Sequence, residues 1–296
     1  MSRCRSEPQH RSRRGFGNEG ERVSGRIRLV VSDLDGTLIR SDKTLSDNVV
    51  AAMRRLSAAG AALSLISARP PSGMLWVAER LGLNGIIGAF NGGTILRTDG
   101  SILQRFVVPP AAASHCLDVL GRLPVTIWLF RGGFWHASSL ADPHTPREIA
   151  STNQEPALVD DMAGFADSID KIVAVSDDFA LLAQLEAQLQ QTLGAEANVI
   201  RSQPYYLDIT AAQANKGHGI AALAEAAGIP LTETAAIGDQ RNDLPMFARA
   251  GLSIAMGQAP EAVRLAADHV SLSADEDGVA HAIDEILMPR LAAGVR

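Results

Sequence analysis

Asp33-Leu34-Asp35-Gly36-Thr37 follows directly on the short apolar run Leu29-Val30-Val31. Carboxylates at i and i+2 leave an extended segment on the same side, and Gly36 permits the sharp turn that ends it. Two like charges that close repel, so both ionise comfortably only beside a cation. Mg²⁺ suits such a pair: it is a hard, oxygen-seeking ion that takes one or two carboxylates, keeps waters and shares substrate phosphate oxygens. The plainer alternative is a surface turn in which Asp and Gly serve only as turn formers.

Three further clusters carry chemistry-bearing side chains. Ser67-Ala68-Arg69 follows the apolar Leu63–Ile66; a hydroxyl and a backbone N–H there can hold a phosphoryl oxygen, or Ser67 can simply cap a helix beside a solvated Arg69. Asn215-Lys216-Gly217 opens a helix. A lysine there works against the macrodipole unless an anion compensates, the alternative being a solvated surface lysine. Gly238-Asp239-Gln240-Arg241-Asn242-Asp243-Leu244-Pro245-Met246 lies at a strand-to-helix junction. Pro245 suits a first helical turn and Asp243 could be a plain N-cap, while Asp239 at the strand tip has no structural task. Asn242 offers a neutral amide able to orient its neighbours.

All four clusters sit just after apolar strands or at helix starts, the edge where an open α/β sheet gathers its site. An acidic metal cradle, a hydroxyl and a lysine together form a set for phosphoryl transfer, which rests on positioning and charge neutralisation.

The elements that must position them read as follows. Leu29–Val31 is a strand buried on both faces. A helix through Val49, Met53 and Leu56 stops at Gly60. Strand Leu63–Ile66, helix Ser72–Leu81 and a third strand at Ile86–Ala89 continue a βαβ rhythm. After Asn91-Gly92-Gly93 the rhythm changes: Thr94–Arg97 and Ile102–Val107 form a hairpin around Asp99-Gly100. Residues 109–208 read as an α+β insertion packed separately from the sheet. It holds a helix Ala112–Gly121, a hairpin of Val125–Phe130 with Phe134–Ser138, a strand Lys171–Val175 and a helix Phe179–Leu193. Helix Gly217–Ala227, strand Ala235–Ile237, helix Pro245–Ala250, strand Ser253–Ala255 and a last helix near Val279–Leu287 restore the parallel pattern. The expectation is an α/β, doubly wound, Rossmann-like core of residues 27–108 and 209–296, with 109–208 inserted.

The 296 residues suffice for about two domains of ~100–200 residues each, and 46% hydrophobic content excludes a wholly disordered chain. A net charge of −6 argues against coating nucleic acid. Cys4 and Cys116 form no metal pair and read as free thiols of a reducing compartment. No apolar run approaches the ~18–20 residues of a membrane span. Residues 1–26 carry seven arginines and no periodic apolar positions, which predicts a disordered basic tail. Ser12-Arg13-Arg14-Gly15-Phe16 superficially resembles a twin-arginine export signal, but Gly17–Glu21 stands where the apolar region should be. A cytoplasmic protein is expected.

Asp33-Leu34-Asp35-Gly36-Thr37, Ser67, Lys216 and Gly238-Asp239 with Asn242-Asp243 resemble the four ordered motifs of the haloacid dehalogenase superfamily. The insertion after Asn91-Gly92-Gly93 resembles the α/β (C2B) cap of Cof-type, type IIB phosphatases, and so do Ile254-Ala255-Met256-Gly257, Ala266–Val270 and Asp277-Gly278-Val279. The similarity spans about residues 27–290. Two departures stand out. Ala68 replaces the usual Gly of the second motif and restricts the backbone, and Gln258 replaces an Asn before Ala259-Pro260, a change read as neutral.

The resemblance implies a Mg²⁺-dependent phosphatase. Asp33 is then the nucleophile and Asp35 the general acid and base. Ser67, Lys216 and Asn242 serve the phosphoryl group. Asp33, Asp35 through its carbonyl, Asp239 and Asp243 serve the metal. The cap chooses the substrate, with Asn91, Arg131, His136, Tyr205 and Tyr206 as candidate contacts. The implied partner is a small phosphorylated metabolite such as a sugar phosphate, without nucleic acid or membrane. A phosphomutase with the same first motif, or a non-catalytic regulator using the basic tail, are the alternatives.

Overall fold

The computed structural model describes residues 26–292. Residues 1–25, which hold Cys4 and nearly all of the expected tail, lie outside the described residues, as do residues 293–296.

The chain begins with β1 (Leu29–Ser32), buried at all four positions. Helix α1 (Asp47–Ala58) starts where the Ser46 hydroxyl accepts from the Val49 N–H, and its inward face is Val49, Val50, Ala52, Met53 and Leu56. Then follow β2 (Ala62–Leu65), α2 (Ser72–Leu81) and β3 (Ile86–Ala89). The third strand differs from the sequence expectation. Its ladder pairing with the parallel sheet is a single bridge, Ile66 to Gly88, beside the Ser64 hydroxyl donating to the Ile86 carbonyl at 2.6 Å. It otherwise pairs antiparallel with β4 (Thr94–Arg97), which pairs with β5 (Ile102–Arg105). Four residues followed at once by a hairpin leave no room for a second parallel partner.

Next comes the cap: α3 (Pro110–Leu120), β6 (Thr126–Arg131), β7 (Phe134–Ala137), α4 (Thr145–Thr152), β8 (Ala157–Leu158), β9 (Lys171–Val175), α5 (Phe179–Leu193), β10 (Ala197–Gln203) and β11 (Tyr206–Ala211). Its strands form a sheet of order β10-β11-β9-β6-β7-β8. Helix α4 and strands β8, β10 and β11 had no clear pattern in the sequence. Both faces of this sheet are apolar. Ile127, Leu129, Ile172, Ala174, Leu207 and Ile209 pack with α3 and α5, and buried Cys116 of α3 is a free thiol in that cluster. Trp128, Phe130, Trp135, Val173, Val175 and Tyr206 instead join the core's own cluster with Met74, Val77 and Ala78 of α2. The cap is therefore not packed separately, as the sequence suggested. Phe90 and Phe130 meet across the junction with ring centroids 5.8 Å apart. A Cβ on Gly73 would lie 2.6 Å from the Ser151 carbonyl oxygen, so glycine is what lets α2 and α4 touch.

The core resumes with α6 (Lys216–Ala227), β12 (Thr234–Gly238), α7 (Leu244–Phe247), β13 (Leu252–Ala255), α8 (Glu261–Ala266) and β14 (His269–Val270). It ends in α9 (Gly278–Ala282), which runs through a π-turn at Ile283–Leu287 into α10 (Met288–Ala292). The main sheet, β14-β13-β12-β1-β2, is parallel throughout. Ser32 is in register with Ile237 on one side and Leu65 on the other, so the loops after β1, β12 and β2 emerge side by side. No helix among the described residues is long and apolar enough to cross a membrane.

Candidate active site

The register of β1 and β12 brings the first and fourth motifs together: the Asp33 N–H donates to the Ile237 carbonyl at 2.9 Å. Helix α6 brings the third. Asn215 caps it by accepting from the His218 N–H at 3.0 Å, which starts the helix with Lys216 at its first position. Lys216 is 1% exposed, and its Nζ lies 2.7 Å from Asp33 Oδ1 and 2.6 Å from Asp243 Oδ1. The sequence left this lysine as either solvated or compensated by an anion; it is buried and has two carboxylate partners.

Asp33, Asp239 and Asp243 are all buried and each presents an oxygen within 4.8 Å of the others'. Burial chiefly, then the charges of Asp243 and Asp239, raises the Asp33 carboxyl well above its usual range against the pull of Lys216. Burial and Asp243 likewise raise Asp239. For Lys216 burial works against the charged form, but Asp243 and Asp33 outweigh it and raise its pKa. Three acids face one lysine, a charge deficit that a bound cation relieves.

Their oxygens are not equally free. Asp243 Oδ2 accepts from the backbone N–H groups of Asp239 (2.9 Å) and Gln240 (2.8 Å) while Oδ1 takes Lys216. It ties the loop and the lysine together, which leaves Asp33 and Asp239 with the more available oxygens. Asp239 is steadied by the Thr37 hydroxyl at 3.3 Å and Gln240 Nε2 at 3.0 Å. Gly36, at φ +75°, turns beneath it, where a Cβ would stand 2.5 Å from Asp239 Oδ2. Gln258 proves more than a neutral replacement: its Nε2 donates to the Gly36 carbonyl at 2.5 Å and its Oε1 accepts from the Ala274 N–H at 3.0 Å. It pins the first motif to the C-terminal segment.

Asp35 points elsewhere, toward Arg69. The guanidinium grips both oxygens, Nε to Oδ2 and one terminal nitrogen to Oδ1, each at 2.7 Å, and Lys43 Nζ adds a contact at 3.0 Å. Burial alone would raise this carboxyl, but Arg69 and then Lys43 outweigh it and bring it down to about 2. Arg69 also donates to the Gly73 carbonyl at 3.2 Å. Ser67 is buried beside it and accepts from the Arg69 N–H at 3.3 Å. Ala68 is not among the residues with positive φ, so this position does not need glycine's freedom. The Asn91 N–H donates to the Ser67 carbonyl at 2.7 Å, and Asn242 Nδ2 reaches Asn91 Oδ1 at 3.4 Å. These contacts link the second and fourth motifs.

The cap candidates divide. Tyr206 lies on the sheet face that joins the core, stacked edge-on to Tyr205 and Trp128. Arg131 and His136 do not join the site. Both pack on Phe165 on the helix-covered face, Arg131 at 5.5 Å and His136 at 4.7 Å. Strand alternation places them opposite Phe130 and Trp135, which occupy the inner face. Burial lowers the His136 pKa, as suits a half-buried packing residue. The sequence reading missed Glu148, whose carboxyl feels Arg69 and Asp35. Its only signal was a short helix opened by Thr145-Pro146.

The profile of the haloacid dehalogenase-like hydrolases matches residues 30–283, and the chain belongs to that family. Relatives of the chain within that family are named phosphatases. An HMP-PP phosphatase of Cronobacter sakazakii is 29% identical over 245 residues, 78% of this chain and 85% of its own. A haloacid dehalogenase-like hydrolase from Bacteroides thetaiotaomicron is 31% identical, with a TM-score of 0.79 over 88% of this chain and 100% of that one. A haloacid dehalogenase subclass IIB sugar phosphatase shares the fold at 20% identity, with a TM-score of 0.74 over 87% and 98% of the two chains.

Proposed function

We propose that the protein is a Mg²⁺-dependent, cytoplasmic hydrolase of small phosphomonoesters of the sugar-phosphate kind, acting through an aspartyl-phosphate on Asp33. The observation that carries this reading is the buried Asp33–Lys216–Asp243 chain beside Asp239. It suits Asp33 to the part of nucleophile and leaves negative charge to draw a metal ion, which a phosphoryl group could then share. Asp33 and Asp239, with the Asp35 carbonyl, would hold Mg²⁺, and Asp243 anchors the arrangement; once bound, the ion supplies charge neutralisation on the phosphoryl oxygens.

Asp33 forms the new O–P bond as the ester P–O bond breaks, and the departing alkoxide takes a proton from Asp35. In the second half water forms an O–P bond, the Asp33–phosphorus bond breaks, and the water's proton goes to Asp35. The ion pair with Arg69 holds Asp35 in the ionised form needed for that second half. Donation to the leaving alcohol requires Arg69 and Lys43 to draw back. Lys216 neutralises a phosphoryl oxygen and keeps Asp33 aimed, with Ser67 on another oxygen and Asn242 oriented by Asn91.

The test is phosphate release from p-nitrophenyl phosphate with and without Mg²⁺, for the wild type and Asp33→Asn. Turnover should need the metal and fall by about 10³-fold or more in the variant. Normal turnover by Asp33→Asn would refute the nucleophile assignment.

A further inference from the structure

The cap face that looks onto the core carries polar groups that phosphoryl transfer does not use. Asp208 is in register with Val173, which is itself paired with Trp128, so Asp208 shares the inner face with Tyr206 two residues earlier and with Lys171. Lys171 Nζ lies 2.7 Å from Asp208 Oδ2. The second carboxylate oxygen, Oδ1, is buried without a partner, and so is the hydroxyl of Tyr206, a residue 7% exposed. Native interiors leave few polar atoms unsatisfied. Trp128 Nε1 and Trp135 Nε1 on the same face are likewise buried and unpartnered. Of these four atoms only Asp208 Oδ1 is a pure acceptor, so a ligand bearing a donor would complete its hydrogen bonding.

Glu148 lies in the first turn of α4. Helix α4 touches α2 at Gly73, whose carbonyl also receives Arg69. Burial chiefly raises the Glu148 carboxyl; Lys171, Asp208, Arg69 and Asp35 all act on it, and the Tyr206 hydroxyl in turn feels Glu148. Glu148, on a helix that touches α2 beside Arg69, is thus near enough to feel the charges of both the Lys171–Asp208 pair and the Arg69–Asp35 pair. Both cations are committed, Lys171 to Asp208 and Arg69 to Asp35. Arg147, the neighbouring cation, is exposed and lies over the Tyr205 ring at 5.8 Å. Glu148 has no ion-pair partner of its own among the described residues.

We propose that Glu148, Asp208 and Tyr206 line the leaving-group side of the site and select phosphomonoesters whose leaving group offers hydrogen-bond donors and carries no second negative charge. A hydroxyl or amino hydrogen supplies Asp208 Oδ1 with the donor it lacks, and a hydroxyl oxygen can accept from Tyr206. A second phosphate or carboxylate meets Glu148 with no free cation to offset it. This selection rests on the hydrolase reading above.

The experiment measures kcat/KM of the full-length protein with Mg²⁺ on paired substrates: glucose 6-phosphate with glucose 1,6-bisphosphate, and glycerol 1-phosphate with 3-phosphoglycerate. p-Nitrophenyl phosphate serves as the reference for the wild type. The uncharged-leaving-group member of each pair should lead by at least about tenfold. Glu148→Gln, which keeps shape and removes charge, should cut that lead by about fivefold or more. Tyr206→Phe should raise KM for the hydroxylated monophosphates. The lead is a ratio within one preparation, so loss of folded protein does not move it. Preference for the anionic members, or a lead unmoved in Glu148→Gln, overturns the assignment. Turnover of p-nitrophenyl phosphate alone, with none of the paired substrates, overturns it while the hydrolase reading stands. No turnover of p-nitrophenyl phosphate refutes both.

Discussion

Replacing Lys216 by Met isolates the electrostatics of the site from its chemistry. Methionine keeps most of the lysine stem and removes the charge that two buried carboxylates share. Deleting one partner of a buried ion pair costs about 3–5 kcal/mol, because the remaining charge stays desolvated. Asp33 is already raised by burial, so it recovers part of the loss by taking up a proton. The expected cost at pH 7 is therefore at the low end, about 3 kcal/mol. At ~2–4 °C per kcal/mol for proteins of comparable size, the melting temperature should fall by about 6–12 °C. Urea unfolding in EDTA measures the free energy and thermal unfolding the shift. Adding Asp243→Asn to Lys216→Met should cost less than the sum of the single changes by at least ~1 kcal/mol, since the second change removes a charge the first has stranded. A single-variant loss under about 1 kcal/mol, or strict additivity, would refute the reasoning.

Gly36→Ala should cost about 1–2 kcal/mol for a left-handed backbone and displace Asp239, from which the new Cβ would be 2.5 Å away. A Mg²⁺ titration of phosphate release should shift about tenfold or more to higher metal. Gly73→Ala puts a Cβ 2.6 Å from the Ser151 carbonyl. It should cost about 1–3 kcal/mol and shift emission from Trp128 and Trp135 to the red, with unchanged emission arguing against the α2–α4 contact. Asp33 and Asp239 have raised pKa values, so the folded state binds more protons than the unfolded one above the ordinary value of 3.8. Metal-free stability should then fall as pH rises from that value through the raised ones. The melting-temperature gain from Mg²⁺ should grow over the same range, reaching about 5–10 °C near neutrality at 100-fold excess over Kd; a gain independent of pH would count against these two carboxylates as ligands.

The core was legible because its strands are apolar runs that end in the chemistry: Leu29–Val31 before Asp33, Ala235–Ile237 before Asp239. Helices Ser72–Leu81 and Phe179–Leu193 follow their expected bounds because a capping residue or a following glycine marks their ends. The cap was less readable. In β6 both Ile127-Leu129 and Trp128-Phe130 are apolar, so alternation could not say which face turns toward the core. That is why Arg131 and His136 looked eligible. Glu148 sits on a helix of eight residues, too short for a periodic pattern. Arg69 looked like a solvated charge because only the fold brings it to Asp35, 34 positions away.

An apolar seam joins Trp128, Phe130 and Trp135 of the cap to α2 of the core, and Asp33, the proposed nucleophile, is only 6% exposed. On the proposed function a phosphoester reaches Asp33 when the cap lifts off that seam, and its alcohol leaves when it lifts again. Each lift bares aromatic surface to water, so the resting molecule sits shut. Cap opening is then a step that both substrate entry and alcohol release must await.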